Sequence, residues 1–357
     1  MTAGARVTDG APLAELTTIR LGGPAERLVE AATEEQVIET VARADAAGEP
    51  LLVLGAGSNM VVADAGVGGT VMRIATRGVS VSAVDGRLRL AVAAGEPWGE
   101  LVGRTTAEGL AGIECLAGIP GTAGATPIQN VGAYGQQVSD TIVSVRAYDR
   151  EARAVVELNG DECGFAYRSS RFRVSARFVV LAVTFELERA ALALPLRHQE
   201  LARTLGVATG ARAPLGEVGA AVLALRRRKG MVLDPDDPDS ISAGSFFVNP
   251  ILSAGRFAEL EWRAAERLGA PASPPAWPEA EGRVKTSAAW LIERAGFRRG
   301  YGEGRVGIST KHTLALVNRG GASTAELLGL ARELRAGVQR TFGVALVPEP
   351  LLVGVAL

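Results

Sequence analysis

A buried strand that runs into a glycine turn and then directly into a second β-like run constrains this chain more than any other feature of it. Leu51 to Leu54 is wholly apolar, Gly55-Ala56-Gly57-Ser58-Asn59 follows with almost no bulky side chain, and Met60 to Val62 reads as β again. Successive backbone N–H groups exposed along such a turn make a nest for phosphate or pyrophosphate. The turn begins like a dinucleotide fingerprint, but that motif needs glycine where Met60 stands and a helix where Val61 and Val62 stand. A doubly wound dinucleotide fold is therefore excluded, and no P-loop lysine is present. Taken alone, the turn is read equally well as a tight turn with no ligand.

Around it the pattern is mixed. Thr33 with Gln36 forms a capping box, Val37, Ile38 and Val41 make an apolar stripe, and Gly48 suits a left-handed C-cap, so a helix is expected over Thr33 to Gly48. Strands are expected at Val71 to Ile74, Leu88 to Val92, Ile142 to Tyr148, Ala154 to Leu158 and Phe178 to Leu187, with a helix from Trp98 to Glu108. The second half is richer in helix, at Glu217 to Arg228, Ala254 to Leu268, Thr286 to Ala295 and Thr324 to Phe342; Ser323 and Glu326 cap the last and Gly343 ends it. Asp234 to Pro238 and Pro271 to Pro278 read as loops. A composition step near Ala190 to Pro195 suggests a boundary between a cofactor-like and a substrate-like half.

At 357 residues, two or three domains are expected. With 38 basic and 39 acidic side chains, bulk charge gives no hold on nucleic acid or a membrane surface. Lysine is rare, only Lys229, Lys285 and Lys311, the other basic residues being arginine. Cys115 and Cys163 are too few and too distant for a disulfide framework or a cysteine zinc site, and His198 and His312 are isolated, so no metal site is expected. Met1 to Pro12 lacks a signal-peptide pattern, and no apolar run approaches the ~20 residues that cross a bilayer. A reduced, cytoplasmic setting is expected.

Four further segments are candidates for chemistry. From Gly112 to Gln136 the chain reads GIECLAGIPGTAGATPIQNVGAYGQ, with five glycines between Gly118 and Gly135, the amides Gln129 and Asn130, and Tyr134. So many small residues with so few charges imply backbone lying close to a flat polar partner. Phe165 to Phe172 sets Arg168 among aromatic residues, although blind to context Arg168 is most simply one of many surface arginines. Ile241 to Pro250, ISAGSFFVNP, places Ser245 before two phenylalanines and Asn249 after them, without the His-Asp spacing of an activated nucleophile. Val347-Pro348-Glu349-Pro350 holds one carboxylate between two prolines.

These segments in series, LGAGSN, GIPGTAGATPIQNVGAYG, YRSSRF, AGSFFVNP and VPEP, resemble the UDP-N-acetylenolpyruvoylglucosamine reductase family, and the SFF form resembles its type I branch. Thr17 to Gly23, Arg227-Arg228-Lys229-Gly230, Ala289 to Glu293 and Ser309-Thr310-Lys311-His312 are similar to the family too. The resemblance implies an α+β chain: an FAD-binding module of the vanillyl-alcohol-oxidase type, then an α+β substrate-binding domain. Residues 14–80 would form a first FAD subdomain, rejoined by 345–357, residues 81–190 a second, and 191–344 the substrate domain.

It further implies noncovalent FAD, NADPH as hydride donor, and UDP-N-acetylenolpyruvoylglucosamine as substrate, in peptidoglycan precursor synthesis. Leu54, Gly55, Ala56, Gly57, Ser58, Asn59 and Met60 would hold the FAD pyrophosphate; Ile119, Pro120, Gly121, Gly124, Ala125, Gln129, Asn130, Gly132, Ala133 and Tyr134 would pass along the flavin and ribityl chain. Arg168 corresponds to the arginine on the substrate carboxylate, Glu349 to the glutamate that polarises it, and Ser245 to the proton donor. Lys229 and Asn249 would hold the phosphate and carboxylate end of the substrate, with Tyr134 lining that pocket. His198 stands where the type I pattern has a closing tyrosine, and Leu351 where many members have an arginine. A monomer is the working expectation.

Overall fold

Thr33 ends an extended stretch with its hydroxyl oxygen accepting the Gln36 N–H at 3.3 Å, and Gly48 turns left-handed at φ 62°, which fixes the helix between them as Glu34–Ala47. Gln36 does not close the expected box on Thr33; its Oε1 accepts the N–H of Ala32 at 2.8 Å, one residue earlier. Val37, Val41 and Ala44 form the buried face. The computed structural model describes residues 4–269 and 272–357, so Met1 and the first residue of the loop expected at Pro271 lie outside the described residues.

The chain is α+β throughout and divides into two compact units, each built from three stretches. The first takes the residues up to Ala11, Ala25–Gly57 and Gly68–Val232. One sheet has the order Arg6–Pro12, Pro24–Ala31, Val67–Ile74, Leu51–Leu54, its last pair parallel with Leu51 opposite Thr70 and Leu54 opposite Arg73. A second, antiparallel sheet runs Ala154–Asn159, Ile142–Asp149, Phe178–Arg189, Arg87–Ala93, Val79–Val84. Val37 and Met72 from the first sheet's layer, and Val92, Val183 and Phe185 from the second, share one core with Trp98 of the helix Trp98–Ala107. Residues 191–232, grouped with the second half on composition, pack by contact into this unit: Leu196, Leu201, Leu215, Val218, Val222 and Leu225 cluster with Ala111 and Cys115.

The second unit takes Pro12–Pro24, Ser58–Val67 and Leu233–Leu357. Its three-stranded antiparallel sheet has the order Ser242–Ser245, Ala315–Asn318, Val306–Ile308. The helices Ala254–Leu268, Ala288–Arg294 and Thr324–Phe342 supply most of its core, with Ile19, Leu21 and Val61 contributed from far upstream. The last helix has both halves of the expected Ser323/Glu326 box, and Gly343 ends it at φ 72°. Asp64 adds a second cap, its carboxylate accepting Thr324 N–H at 2.7 Å and Ala325 N–H at 3.0 Å. The C-terminal strand Leu351–Val353 lies parallel to Met60–Val62. Part of the loop expected at Pro271–Pro278 is instead a short strand, because Trp277 and Pro278 pair with Lys285 and Val284.

Candidate active site

In the first unit two of the anticipated cofactor segments come together. A Cβ built on Gly55 would stand 2.8 Å from Thr122 Oγ1 and 3.8 Å from Ala125 Cβ, so the turn after Leu54 lies against the Thr122–Ala125 segment with room for backbone only. That segment is itself pinned: Ala123 N–H donates to Glu96 O and Gly124 N–H to Ala94 O, both at 2.9 Å, and a Cβ at Gly124 would meet Ala94 Cβ at 2.4 Å. Trp98 N–H donates to Gly121 O at 3.1 Å, tying the same loop to the start of a helix. Glycine is needed at positions 55 and 124 for this approach, which holds the glycine turn, the candidate site for a pyrophosphate, against the Thr122–Ala125 segment.

Downstream, Gly132–Ala133 and Gln136–Gln137 form a small hairpin whose two central residues, Tyr134 and Gly135, have φ of 48° and 86°. Positive φ at both positions is what a type I′ turn requires, and tyrosine is an unfavourable residue for it. Asn130 (φ 46°) and Arg168 (φ 52°) share this left-handed conformation. Arg168 Nη2 donates to Gly132 O at 3.0 Å, so the arginine is fastened to the base of the hairpin that carries Tyr134. Asn130 is 2% exposed and committed within the protein, donating to Gln137 Oε1 and Ala166 O, both at 3.3 Å, and accepting Ser139 N–H at 3.1 Å. It shapes the loop with its side chain. Gln129 Oε1 accepts from Arg173 Nη1 at 2.9 Å.

Tyr134 is the centre of a further group. The His198 ring meets it edge-on at 5.0 Å between centroids, and Lys229 Nζ lies 5.5 Å from its centroid while making a 2.6 Å ion pair with Glu200. Burial pushes the Tyr134 hydroxyl above its usual range and pulls His198 below its own. Arg226, one helical turn before Lys229 and 9% exposed, donates from Nη2 to Met231 O at 2.7 Å, whereas its Nε and His198 Nδ1 are buried with no hydrogen-bond partner among the described residues. Burial lowers the Arg226 guanidinium to about 10. Residue-by-residue reading missed Arg226 and Glu200. Their only sequence signals are the i, i+3 spacing of Arg226 to Lys229 on one helix end and the position of Glu200 two residues after His198.

The second unit gathers the remaining residues. Gly244 at φ 77° and a register shift between Ser242 and Ser245 bend the strand end on which Ser245 sits. Phe246 and Phe247, each 1% exposed, anchor the segment just beyond the serine. Phe246 N–H donates to Leu314 O at 2.7 Å, and Phe246 O accepts Glu349 N–H at 2.9 Å; Phe247 bridges Pro348, and Val248 N–H reaches Val347 O at 3.1 Å. The serine and glutamate segments are therefore laddered side by side. Asn59 joins them, its Nδ2 donating to Glu349 O at 3.5 Å and its carbonyl accepting Leu351 N–H at 3.0 Å, while the Thr18 hydroxyl donates to Ser58 O at 3.4 Å and to Ser242 O at 2.7 Å. Asn249 Oδ1 accepts Ala288 N–H at 3.0 Å at the start of the helix Ala288–Arg294, which leaves its amide nitrogen for other partners. Leu351 is exposed and serves as a strand residue.

A glycine turn between two strands in place of a Rossmann helix, in a chain that also ladders a serine segment against a glutamate segment, belongs by its relatives to an FAD-dependent oxidoreductase. Residues 25–157 match the FAD binding domain family, and residues 236–353 match the family described as the C-terminal domain of UDP-N-acetylenolpyruvoylglucosamine reductase. UDP-N-acetylenolpyruvoylglucosamine reductase of Thermobifida fusca is 59% identical over 97% of this chain and 98% of its own length; that of Streptomyces coelicolor is 60% identical over 97% and 90%. The crystal structure of UDP-N-acetylenolpyruvylglucosamine reductase from Thermus caldophilus superposes with a TM-score of 0.64 at 25% identity, covering 98% of each chain. The chain belongs to the UDP-N-acetylenolpyruvoylglucosamine reductase family. Among the described residues no helix is long and apolar enough to cross a membrane.

Proposed function

We propose that this enzyme reduces UDP-N-acetylenolpyruvoylglucosamine to UDP-N-acetylmuramate with NADPH as reductant, in the cytoplasm, as a step of peptidoglycan precursor synthesis. FAD, held noncovalently, would supply the hydride transfer that links NADPH to the methylene carbon of the enol ether. The Gly55–Thr122–Ala125 cradle and the loop through Tyr134 are the residues that would hold it.

Hydride added to the methylene carbon leaves an electron pair on the adjacent carbon, delocalised into the carboxylate. The protein must stabilise that charge where it forms and then supply one proton. Arg168, held by its Nη2 bond to Gly132 O, takes the carboxylate. Glu349 polarises the same group, a role that requires it to be protonated or compensated, since a second bare carboxylate would repel the developing charge. Ser245 delivers the proton to the carbon next to the carboxylate, completing a lactyl ether. A hydroxyl is a weak acid, so this works only toward a strongly basic enolate and with reprotonation from a neighbour or water. Lys229, Tyr134 and His198 bind the nucleotide diphosphate, and the Asn249 amide nitrogen the substrate's carboxylate end. The observation that supports this reading best is the ladder between the SFF and PEP segments, Glu349 N–H to Phe246 O at 2.9 Å, which joins the proton donor's strand to the glutamate's.

Anaerobic half-reactions test it. Ser245→Ala should leave bleaching of the flavin by NADPH near normal while slowing reoxidation by the enolpyruvyl substrate about 100-fold or more, the range for losing a general acid. Equal loss of both half-reactions removes Ser245 from the role. Failure of NADPH to bleach the wild-type flavin would favour a flavin oxidase that uses oxygen.

A further inference from the structure

Lys229 presents a conflict once it is assigned to a diphosphate. Its ammonium is already neutralised by Glu200 at 2.6 Å, so an incoming diphosphate meets a carboxylate at the same place. The pair is accessible, with 35% of the lysine and 42% of the glutamate side chain exposed, and such ion pairs contribute little to stability and open readily. Two further groups keep Lys229 useful when Glu200 lets go. The Tyr134 ring, 5.5 Å from Nζ, holds the cation over its face. The buried Arg226 guanidinium, tied at Nη2 to Met231 O, adds a second positive charge that cannot swing away. Arg226 Nε, a donor only, is buried with no hydrogen-bond partner among the described residues and acts electrostatically on the same tyrosine, so at that atom the cluster lacks an acceptor even with Glu200 in place.

We propose that Glu200 is an exchangeable counter-ion for the diphosphate site: it parks Lys229 over Tyr134 between turnovers, yields it to the substrate's diphosphate, and reclaims it as the product leaves. This rests on the assignment of Lys229 to the diphosphate. Glu200 follows His198 by two residues, on the helix Gln199–Thr204 for which His198 is the N-cap, so the exchange needs a side-chain rotation of one exposed glutamate and no movement of backbone. A carboxylate in this place weakens ground-state binding of the nucleotide and speeds its release, so removing it tightens the complex.

The test is UDP binding to the FAD-loaded enzyme at low ionic strength, measured by calorimetry. Glu200→Gln should bind UDP about two- to five-fold more tightly, the value of an exposed ion pair, and the gain should fade at ~0.5 M salt, where charges are screened within a few ångströms. Lys229→Met should weaken UDP binding, and in that background the gain from Glu200→Gln should shrink, because the two residues act through one contact. Unchanged or weaker binding by Glu200→Gln, with Lys229→Met still impaired, overturns the counter-ion and makes Glu200 a residue that positions Lys229 for the ligand. A gain of full size in the Lys229→Met background overturns the exchange as well. Normal binding by Lys229→Met itself removes the diphosphate from Lys229, and both readings fall together.

Discussion

Lysine survives at three positions in a chain that otherwise uses arginine, and at each the ammonium pairs with a carboxylate: Lys229 with Glu200, Lys285 with Glu279, Lys311 with Asp237. An ammonium is a compact point charge, whereas a guanidinium is planar and spreads its donors over a fork. At Lys229 the difference is sharpest, because under the proposed exchange the charge serves the Tyr134 face and an oxyanion by turns. Lys229→Arg is expected to fold normally and to raise the KM for the sugar nucleotide about ten-fold, a loss of ~1.4 kcal/mol, with anaerobic flavin reduction less affected. Steady-state kinetics with a urea unfolding curve on the same preparation checks it, and wild-type KM in the variant would return the lysine pattern to mere composition. Other site residues were less legible. Arg168 carries no periodicity or spacing that separates it from its fellow arginines; what distinguishes it is φ 52° and a bond to Gly132 O, both imposed by tertiary context. Tyr134 was visible as an aromatic among glycines, but its place at the tip of a two-residue hairpin was not, since tyrosine argues locally against such a turn.

Elements with strong local signals were readable almost to the residue. Thr324–Phe342 has a reciprocal cap at one end and a left-handed glycine at the other, and Leu51–Leu54, Met60–Val62 and Ala254–Leu268 fall where expected. Some of the strands that escaped notice lack a buried face or length, whereas Pro24–Ala31 buries Ala25, Leu28, Val29 and Ala31 and escaped because Pro24, Glu26, Arg27 and Glu30 interrupt its apolar pattern. Val79–Val84 alternates valine with serine yet is mostly exposed at a sheet edge, and Arg6–Pro12 buries only Ala11. Two-residue strands such as Ile251–Leu252 exist only because a distant partner pairs with them. The same dependence on distant residues appears at Asp64, which lies 260 positions before the helix it caps. Helix N-termini favour a carboxylate that accepts their free N–H groups and offsets the positive end of the dipole. Asp64→Ala is therefore expected to cost about 1–2 kcal/mol, read as a lowered urea midpoint with an unchanged slope. Asp64→Asn should recover part of it, because the amide oxygen still accepts while the charge is gone. No loss in the alanine variant would mean that the Ser323/Glu326 box satisfies the helix start alone.

For the molecule as a whole, the informative fact is that neither unit is a continuous piece of chain. The composition step near residue 190 suggested a division into a first half and a second half, and contact follows a different path, since the second unit draws Pro12–Pro24 and Ser58–Val67 from upstream. The physical reason lies in its core. Ile19, Leu21 and Val61 are at most 2% exposed and sit in the cluster with Phe246, Phe247 and Leu334. The strand Leu351–Val353 has Met60–Val62 as its partner, and Asn318 Nδ2 donates to Ile19 O at 3.0 Å. Burying each of those three side chains stabilises by about 1.5–3 kcal/mol, so a fragment without them forgoes roughly 5–9 kcal/mol before the lost strand pairing is counted. Native domains are stable by only ~5–15 kcal/mol. A fragment spanning Leu233–Leu357 should consequently show no cooperative urea transition and should bind hydrophobic dye, although it contains Ser245, Glu349 and all of the matched C-terminal domain. A second fragment carrying residues 12–67 ahead of Leu233 through a flexible linker restores the missing core residues and the capping aspartate, and a cooperative transition is expected to return with it. If the short fragment melts cooperatively by itself, the upstream segments are accessories; if only the linked form does, the chain must cross at Gly57–Ser58, inside the turn proposed to hold the cofactor, in order to complete the unit that contains Ser245.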